Sequence, residues 1–135
     1  MIERDDMTFP YSEFQRRLVE LRQRIAERHL DAVVITDPEN IAYLTDYQTT
    51  GYSFFQALVV PLEKEPFMIT RALEESNVFA RTWVEVTRPY PDTGDAIQML
   101  VDALREFVME QGASKNTNLI ELLPSLAHGI TLSDR

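Results

Sequence analysis

Asp31-Ala32-Val33-Val34-Ile35-Thr36, followed at once by Asp37-Pro38-Glu39-Asn40-Ile41-Ala42-Tyr43-Leu44-Thr45, decides the fold of this chain. The first six residues carry a continuous β-branched run without polar alternation, which is the pattern of a buried strand. Asp37-Pro38-Glu39-Asn40 is turn chemistry. Pro38 suits the first helical position with Asp37 as N-cap. A short helix over Ile41 to Thr45 then leads away from the strand.

Upstream, Ser12-Glu13-Phe14-Gln15 matches a capping box, with Ser12 at N-cap and Gln15 three residues later. Phe14, Leu18, Leu21 and Ile25 recur at helical spacing on an otherwise charged segment, predicting an amphipathic helix from about 13 to 28. His29 sits at its end, where an imidazolium suits the helix dipole. Residues 1–11 read as a polar, frayed leader that becomes extended near Phe9-Pro10-Tyr11.

Downstream, Asp46 to Tyr52 is polar and aromatic with one glycine and reads as a loop. Ser53 to Pro61 and Pro66 to Arg71 read as a hairpin around Leu62-Glu63-Lys64-Glu65, with a proline at each mouth. Leu73 to Arg81 predicts a short helix, and Thr82 to Tyr90 a strand on which Val84 and Val86 alternate with polar neighbours. Pro89, Pro91 and Gly94 break the chain; Thr93 or Asp95 can cap the next helix. That helix carries Ala96, Leu100, Ala103, Leu104, Phe107 and Val108 on one face, with Gly112 as its C′ residue. Leu119 to Leu123 forms a last strand. Helices alternating with strands, interrupted by one hairpin, predict an α/β domain with a mixed β-sheet flanked by helices, in two or three layers. The predicted organisation is a leader at 1–11, one domain at 12–123 and a poorly patterned tail at 124–135.

Size and charge narrow the function classes. The chain has 135 residues, 44% hydrophobic and 26% charged, enough for one domain with a real core. Thirteen Lys+Arg against 22 Asp+Glu give a net charge of −9, which repels nucleic-acid backbones and anionic membrane surfaces. Arg16, Arg17, Arg22 and Arg24 are interleaved with Glu13, Glu20 and Glu27, the pattern of a solvated helix face. The chain has no cysteine, which removes disulfides and thiolate chemistry and makes the cytoplasm the expected compartment. No apolar run approaches the ~20 residues of a membrane helix, and the acidic start is not a secretory signal.

Local catalytic signatures are missing. The two histidines, His29 and His128, form no HxxxH or HxH pair. No serine lies in a GxSxG elbow. The four glycines, at 51, 94, 112 and 129, are too scattered for a phosphate-binding loop. Carboxylate pairs such as Glu74-Glu75, Glu63/Glu65 and Asp5-Asp6 are expected by chance among 22 acids, and such pairs usually lie in solvent. Tyr47, Tyr52, Phe54 and Phe55, crowded around Gly51, are different. Alternation buries only some of them, which leaves two readings open: core and turn packing, or an interface or ligand wall.

In their order along the chain these residues resemble the N-terminal domain of the creatinase/prolidase family, the "pita-bread" metallopeptidases that include Xaa-Pro aminopeptidases and dipeptidases. The resemblance runs through Phe14-Gln15-Arg16-Arg17-Leu18, His29 to Thr36, and Asp37 to Thr45, which is similar to the family's N-x-x-Y-L-T-G signature. The hairpin Ala57-Leu58-Val59-Val60-Pro61 and Glu65 to Thr70 completes it, and residues 12–112 are covered. Asp46 stands where the family usually has glycine, so a left-handed conformation there costs more. The resemblance implies a ribonuclease H-like motif. It also implies a parent enzyme whose separate catalytic domain, with no counterpart among these residues, holds two divalent ions (Mn, Co or Zn). This chain itself would then carry no catalytic or metal-ligating residue and no cofactor. By resemblance such a domain helps to build a homodimer and lends loops to the substrate cleft, here through Tyr47, Gly51, Tyr52, Phe54, Phe55 and Arg71. Creatinase, ectoine hydrolase and a sulfonium-compound lyase share the fold with different chemistry, so a non-peptidase parent and a free-standing binding or dimerisation module stay open.

Overall fold

The computed structural model describes residues 1–49, 54–111 and 120–123. Its elements are α1 (Tyr11–Glu27), β1 (Ala32–Ile35), α2 (Pro38–Thr45), β2 (Ala57–Pro61), β3 (Phe67–Arg71), a 3₁₀ turn (Ala72–Glu74), α3 (Glu75–Arg81), β4 (Val86–Tyr90), α4 (Ala96–Gln111) and β5 (Ile120–Leu123). The strands form one sheet in the order β4-β3-β2-β1-β5. β2 runs antiparallel to both neighbours, and the β1–β5 and β3–β4 pairs are parallel.

Period-2 side-chain alternation splits this sheet into two cores. Val33, Ile35, Leu58, Val60 and Met68 face α1, α2 and α3, where Phe14, Leu18, Leu21, Ile25, Ile41, Leu44, Val78 and Trp83 close the larger core. Val34, Ala57, Val59 and Ile69 face the other way, against Ala103 and partly buried Met99, Leu100 and Leu104 of α4. Three layers result. Every residue of β1 and β2 is buried, because helices cover both faces, and that is why their sequences show no polar alternation.

The local signals around β1 act as the sequence predicts. The Asp37 carboxylate accepts the Asn40 N–H at 3.2 Å, capping α2 with Pro38 at its first position. α1 ends in a Schellman motif: the Leu30 N–H reaches the Ile25 carbonyl and the His29 N–H reaches Ala26, both at 3.0 Å. His29 takes the left-handed φ of 58° that this motif needs, where glycine is the usual residue. Leu30 and Ile25 join the same core, the apolar contact that accompanies such a cap.

The last turn of α2 shows how tertiary partners complete a helix end. Its terminal carbonyls have no partner within the helix. The Arg17 guanidinium donates to the Tyr43 carbonyl at 2.7 Å, and the Trp83 indole N–H donates to that of Leu44 at 2.7 Å. Arg17 also lies over the rings of Tyr43, Phe9 and Phe14 at 4.1, 4.8 and 5.1 Å, so one cation joins α1, α2 and the leader.

Several sequence expectations change. α1 starts at Tyr11, and Pro10, not Ser12, is its N-cap, without a side-chain cap. The Pro10 carbonyl accepts the Glu13 N–H, so the fixed φ of proline replaces the capping box. The leader is not frayed. The Ile2 N–H bonds to the Trp83 carbonyl at 2.9 Å, Arg4 donates to the carbonyls of Phe79 and Ala80, and Met1 and Met7 pack on the larger core. β2 begins at Ala57 rather than Ser53, which lies outside the described residues, and β3 begins one residue after Pro66. β4 begins at Val86, not Thr82: Val84 is buried in the larger core, whereas Val86 is 42% exposed. Thr82 ends α3, its hydroxyl donating to the Val78 carbonyl and accepting the Val84 N–H. Asp95 caps α4 by accepting the Gln98 N–H at 3.0 Å. Gly112 and His128 lie outside the described residues.

Candidate functional site

Because β1, β3, β4 and β5 all run the same way, their carboxyl ends share one edge with the amino end of β2. In open α/β sheets ligands gather outside such carboxyl ends. Four of the six candidate residues lie at this edge or beside it: Phe54 and Phe55 lead into β2, Arg71 ends β3, and Tyr47 follows α2. Gly51 and Tyr52 lie outside the described residues.

The Arg71 guanidinium stacks on the Phe54 ring at 3.8 Å. It also forms a two-pronged pair with Asp92, at 2.6 and 3.0 Å. This pair holds the Asp92 carboxyl below its usual range through the Arg71 hydrogen bond. Phe54 is 43% exposed, so a flat cation–aromatic stack faces the solvent. Phe55 is half-buried, and its carbonyl accepts the Tyr90 hydroxyl at 2.5 Å, tying the entry of β2 to the end of β4.

Tyr47 plays a different part. Its ring is buried in the larger core, and its hydroxyl donates to Glu74 at 2.9 Å. Burial, with the Glu74 carboxylate beside it, pushes the phenol up to about 12. Glu74 in turn is held below the ordinary glutamate range by the Asn77 amide and then by Tyr47. Of the aromatic crowd, Tyr47 is therefore core, Phe55 is half-buried and Phe54 is exposed to solvent.

Glu74, Tyr90 and Asp92 are the members of this edge that sequence reasoning passed over. Glu74 belongs to a carboxylate pair expected to lie in solvent; instead it is partly buried and bonded to Tyr47 and Asn77, and its neighbour Glu75 accepts the Thr87 hydroxyl. Tyr90 and Asp92 are hidden among helix and strand breakers, and no spacing rule links them to Arg71 or Phe55. Asn40 adds a buried amide at the start of α2 whose Nδ2 meets no acceptor.

Among the described residues no three His, Cys, Asp or Glu side chains gather as a metal site. No helix among these residues is long and apolar enough to cross a membrane.

The family described as the Creatinase/Prolidase N-terminal domain matches residues 17–126. An uncharacterized hydrolase/peptidase, y4tM, of Sinorhizobium fredii is 32% identical over 87 residues, 62% of this chain and 22% of that protein. The ectoine hydrolase of Halomonas elongata is 33% identical over 90 residues, 64% of this chain and 22% of the enzyme. The chain spans only about a fifth of the length of these curated relatives. In structure it is similar to the N-terminal domain of Xaa-Pro dipeptidase from Lactobacillus brevis, with a TM-score of 0.62 and 25% identity over 68% of this chain and 69% of that one.

Proposed function

This chain belongs to the creatinase/prolidase N-terminal domain family, and from that premise we propose that it is the non-catalytic N-terminal domain of a dinuclear-metal Xaa-Pro peptidase, an aminopeptidase or dipeptidase. Its role is positional. The carboxyl-end edge of the sheet helps to build a homodimer and narrows the cleft of a partner catalytic domain, so that short substrates are held and water is excluded. The observation that carries this reading is the Arg71–Phe54 stack, exposed at that edge yet fixed by Asp92. A rigid, amphipathic surface of this kind can contact a peptide or small-molecule substrate at low entropic cost. The two Mn, Co or Zn ions would reside in the catalytic domain and there activate the water that attacks the substrate.

A parent that is a related non-peptidase hydrolase or lyase, such as creatinase or ectoine hydrolase, is the second reading, favoured by the 33% identity to ectoine hydrolase. Immunoblotting the source cell with an antibody against this chain, followed by assay of the captured native protein, separates the possibilities. The leading proposal expects a band well above 15.6 kDa and cleavage of Xaa-Pro dipeptides with manganese or cobalt. Hydrolysis of ectoine or creatine in its place selects the second reading. A band near the mass of this chain overturns both and leaves a free-standing binding or dimerisation module. Robust Xaa-Pro cleavage by the isolated chain overturns the non-catalytic role.

A further inference from the structure

We infer that Asp46 is a positioning residue that couples the leader before α1 (residues 1–10, an N-terminal strap) to the segment carrying Tyr47, and so to the edge proposed above as the cleft wall. The inference rests on that functional reading for its purpose but not for its test. Asp46 is the C-cap of α2 and takes a φ of 68°, a conformation that an aspartate adopts at a cost. Its side chain explains why that cost is tolerated. Oδ2 accepts the backbone N–H of Thr8 at 2.9 Å, and Oδ1 accepts the Gln48 amide at 3.3 Å. One carboxylate therefore holds a residue of the strap and a residue beyond the helix at the same time.

Both attachments continue into ordered structure. Next to Thr8, the Phe9 ring lies under the Arg17 guanidinium, which also stacks on Phe14 and Tyr43. Next to Asp46, the Tyr47 N–H bonds to the Thr45 hydroxyl at 3.1 Å, and the Tyr47 hydroxyl reaches Glu74. The chain of contacts thus runs strap, Asp46, Tyr47, Glu74, and Glu74 follows Arg71 by three residues along the chain. A glycine at 46 relaxes the backbone and severs both side-chain bonds, so local backbone ease and long-range coupling can be separated by mutation.

The test is amide hydrogen exchange on the whole chain. Asp46→Gly is expected to keep or raise thermal stability while exchange at Thr8 accelerates on the order of tenfold, the loss of one hydrogen bond to a charged acceptor. Asp46→Asn keeps one carbonyl acceptor and is expected to restore protection at Thr8. Thr8→Pro removes the donor from the opposite end and leaves Asp46 in place; it is expected to raise exchange at Tyr47 and Gln48 as well as in the strap. Unchanged Thr8 protection in Asp46→Gly overturns the clasp. Faster exchange confined to residues 1–9 in Thr8→Pro overturns the coupling. Neither outcome depends on the parent's substrate, so a failure of the functional reading is seen separately, in the enzyme assay.

Discussion

Replacement of Trp83 by phenylalanine tests how the two halves of the larger core are joined. Trp83 is fully buried, and its indole N–H meets the Leu44 carbonyl at 2.7 Å, 39 residues away in sequence. Phenylalanine keeps an aromatic ring but leaves two defects. The Leu44 carbonyl, at the end of α2, loses its partner, which costs about 1–3 kcal/mol for a buried acceptor. The missing ring atoms leave a void of one or two methyl-sized groups at ~1 kcal/mol each. The sum is about 2–5 kcal/mol, a large share of the 5–15 kcal/mol typical of a domain. At this chain length that predicts a Tm lower by roughly 7–18 °C. Urea unfolding followed by far-ultraviolet circular dichroism is the proper assay, because Trp83 is the single tryptophan and its fluorescence vanishes with the mutation. Benzothienylalanine, which puts sulfur in place of the indole N–H at nearly constant volume, isolates the hydrogen bond and is expected to account for ~1–3 kcal/mol. A loss below about 0.5 kcal/mol in both variants refutes the argument, since a surface substitution does as much.

Other perturbations follow from the same geometry. His29→Gly is expected to stabilise by about 0.5–1 kcal/mol in urea unfolding, because relief of the left-handed strain outweighs the added unfolded-state entropy. Ile25→Ala, in the same helix end but fully buried, is expected to destabilise by ~2–5 kcal/mol in that assay. The Tyr47 phenol, raised to about 12 in the fold, binds its proton more tightly folded than unfolded. Its contribution is therefore complete below pH 10 and is lost as pH rises from 10 through 12; the wild type should show a steeper fall in urea midpoint across that window than Tyr47→Phe. In the same variant the Glu74 carboxyl, titrated by NMR, is expected to move up towards its ordinary value. Arg71→Ala should lower the stability of this chain by no more than about 1 kcal/mol in urea unfolding, because the half-buried Arg71 pairs with an exposed carboxylate in a solvent-screened setting. In the parent enzyme it should raise KM more than it lowers kcat; an unchanged KM removes Arg71 from the proposed cleft.

Asp37, Pro38 and the run from Ala32 to Ile35 were legible because their physics is local: a cap, a fixed φ and a β-branched run each act within a few residues. The same locality misled at Ser12, where a capping box competes with Pro10 and loses. It misled again at Thr82 to Glu85, which has strand-like residues but serves to end α3 and to seat Trp83. The leader looked frayed because its bonds go to Trp83, Phe79 and Ala80, residues that only folding brings near.

By itself the sequence determined the element order, the mixed sheet, the family, and the absence of a nucleophile elbow, phosphate loop or cysteine chemistry, since each rests on short-range pattern or composition. Only the tertiary structure decided that Tyr47 is buried while Phe54 faces solvent, that Asp92 answers Arg71 across 21 residues, and that Asp46 holds Thr8 across 38. These are contacts between side chains on different elements. They depend on strand register and on which helix covers which face, and no periodicity along the chain encodes that distance.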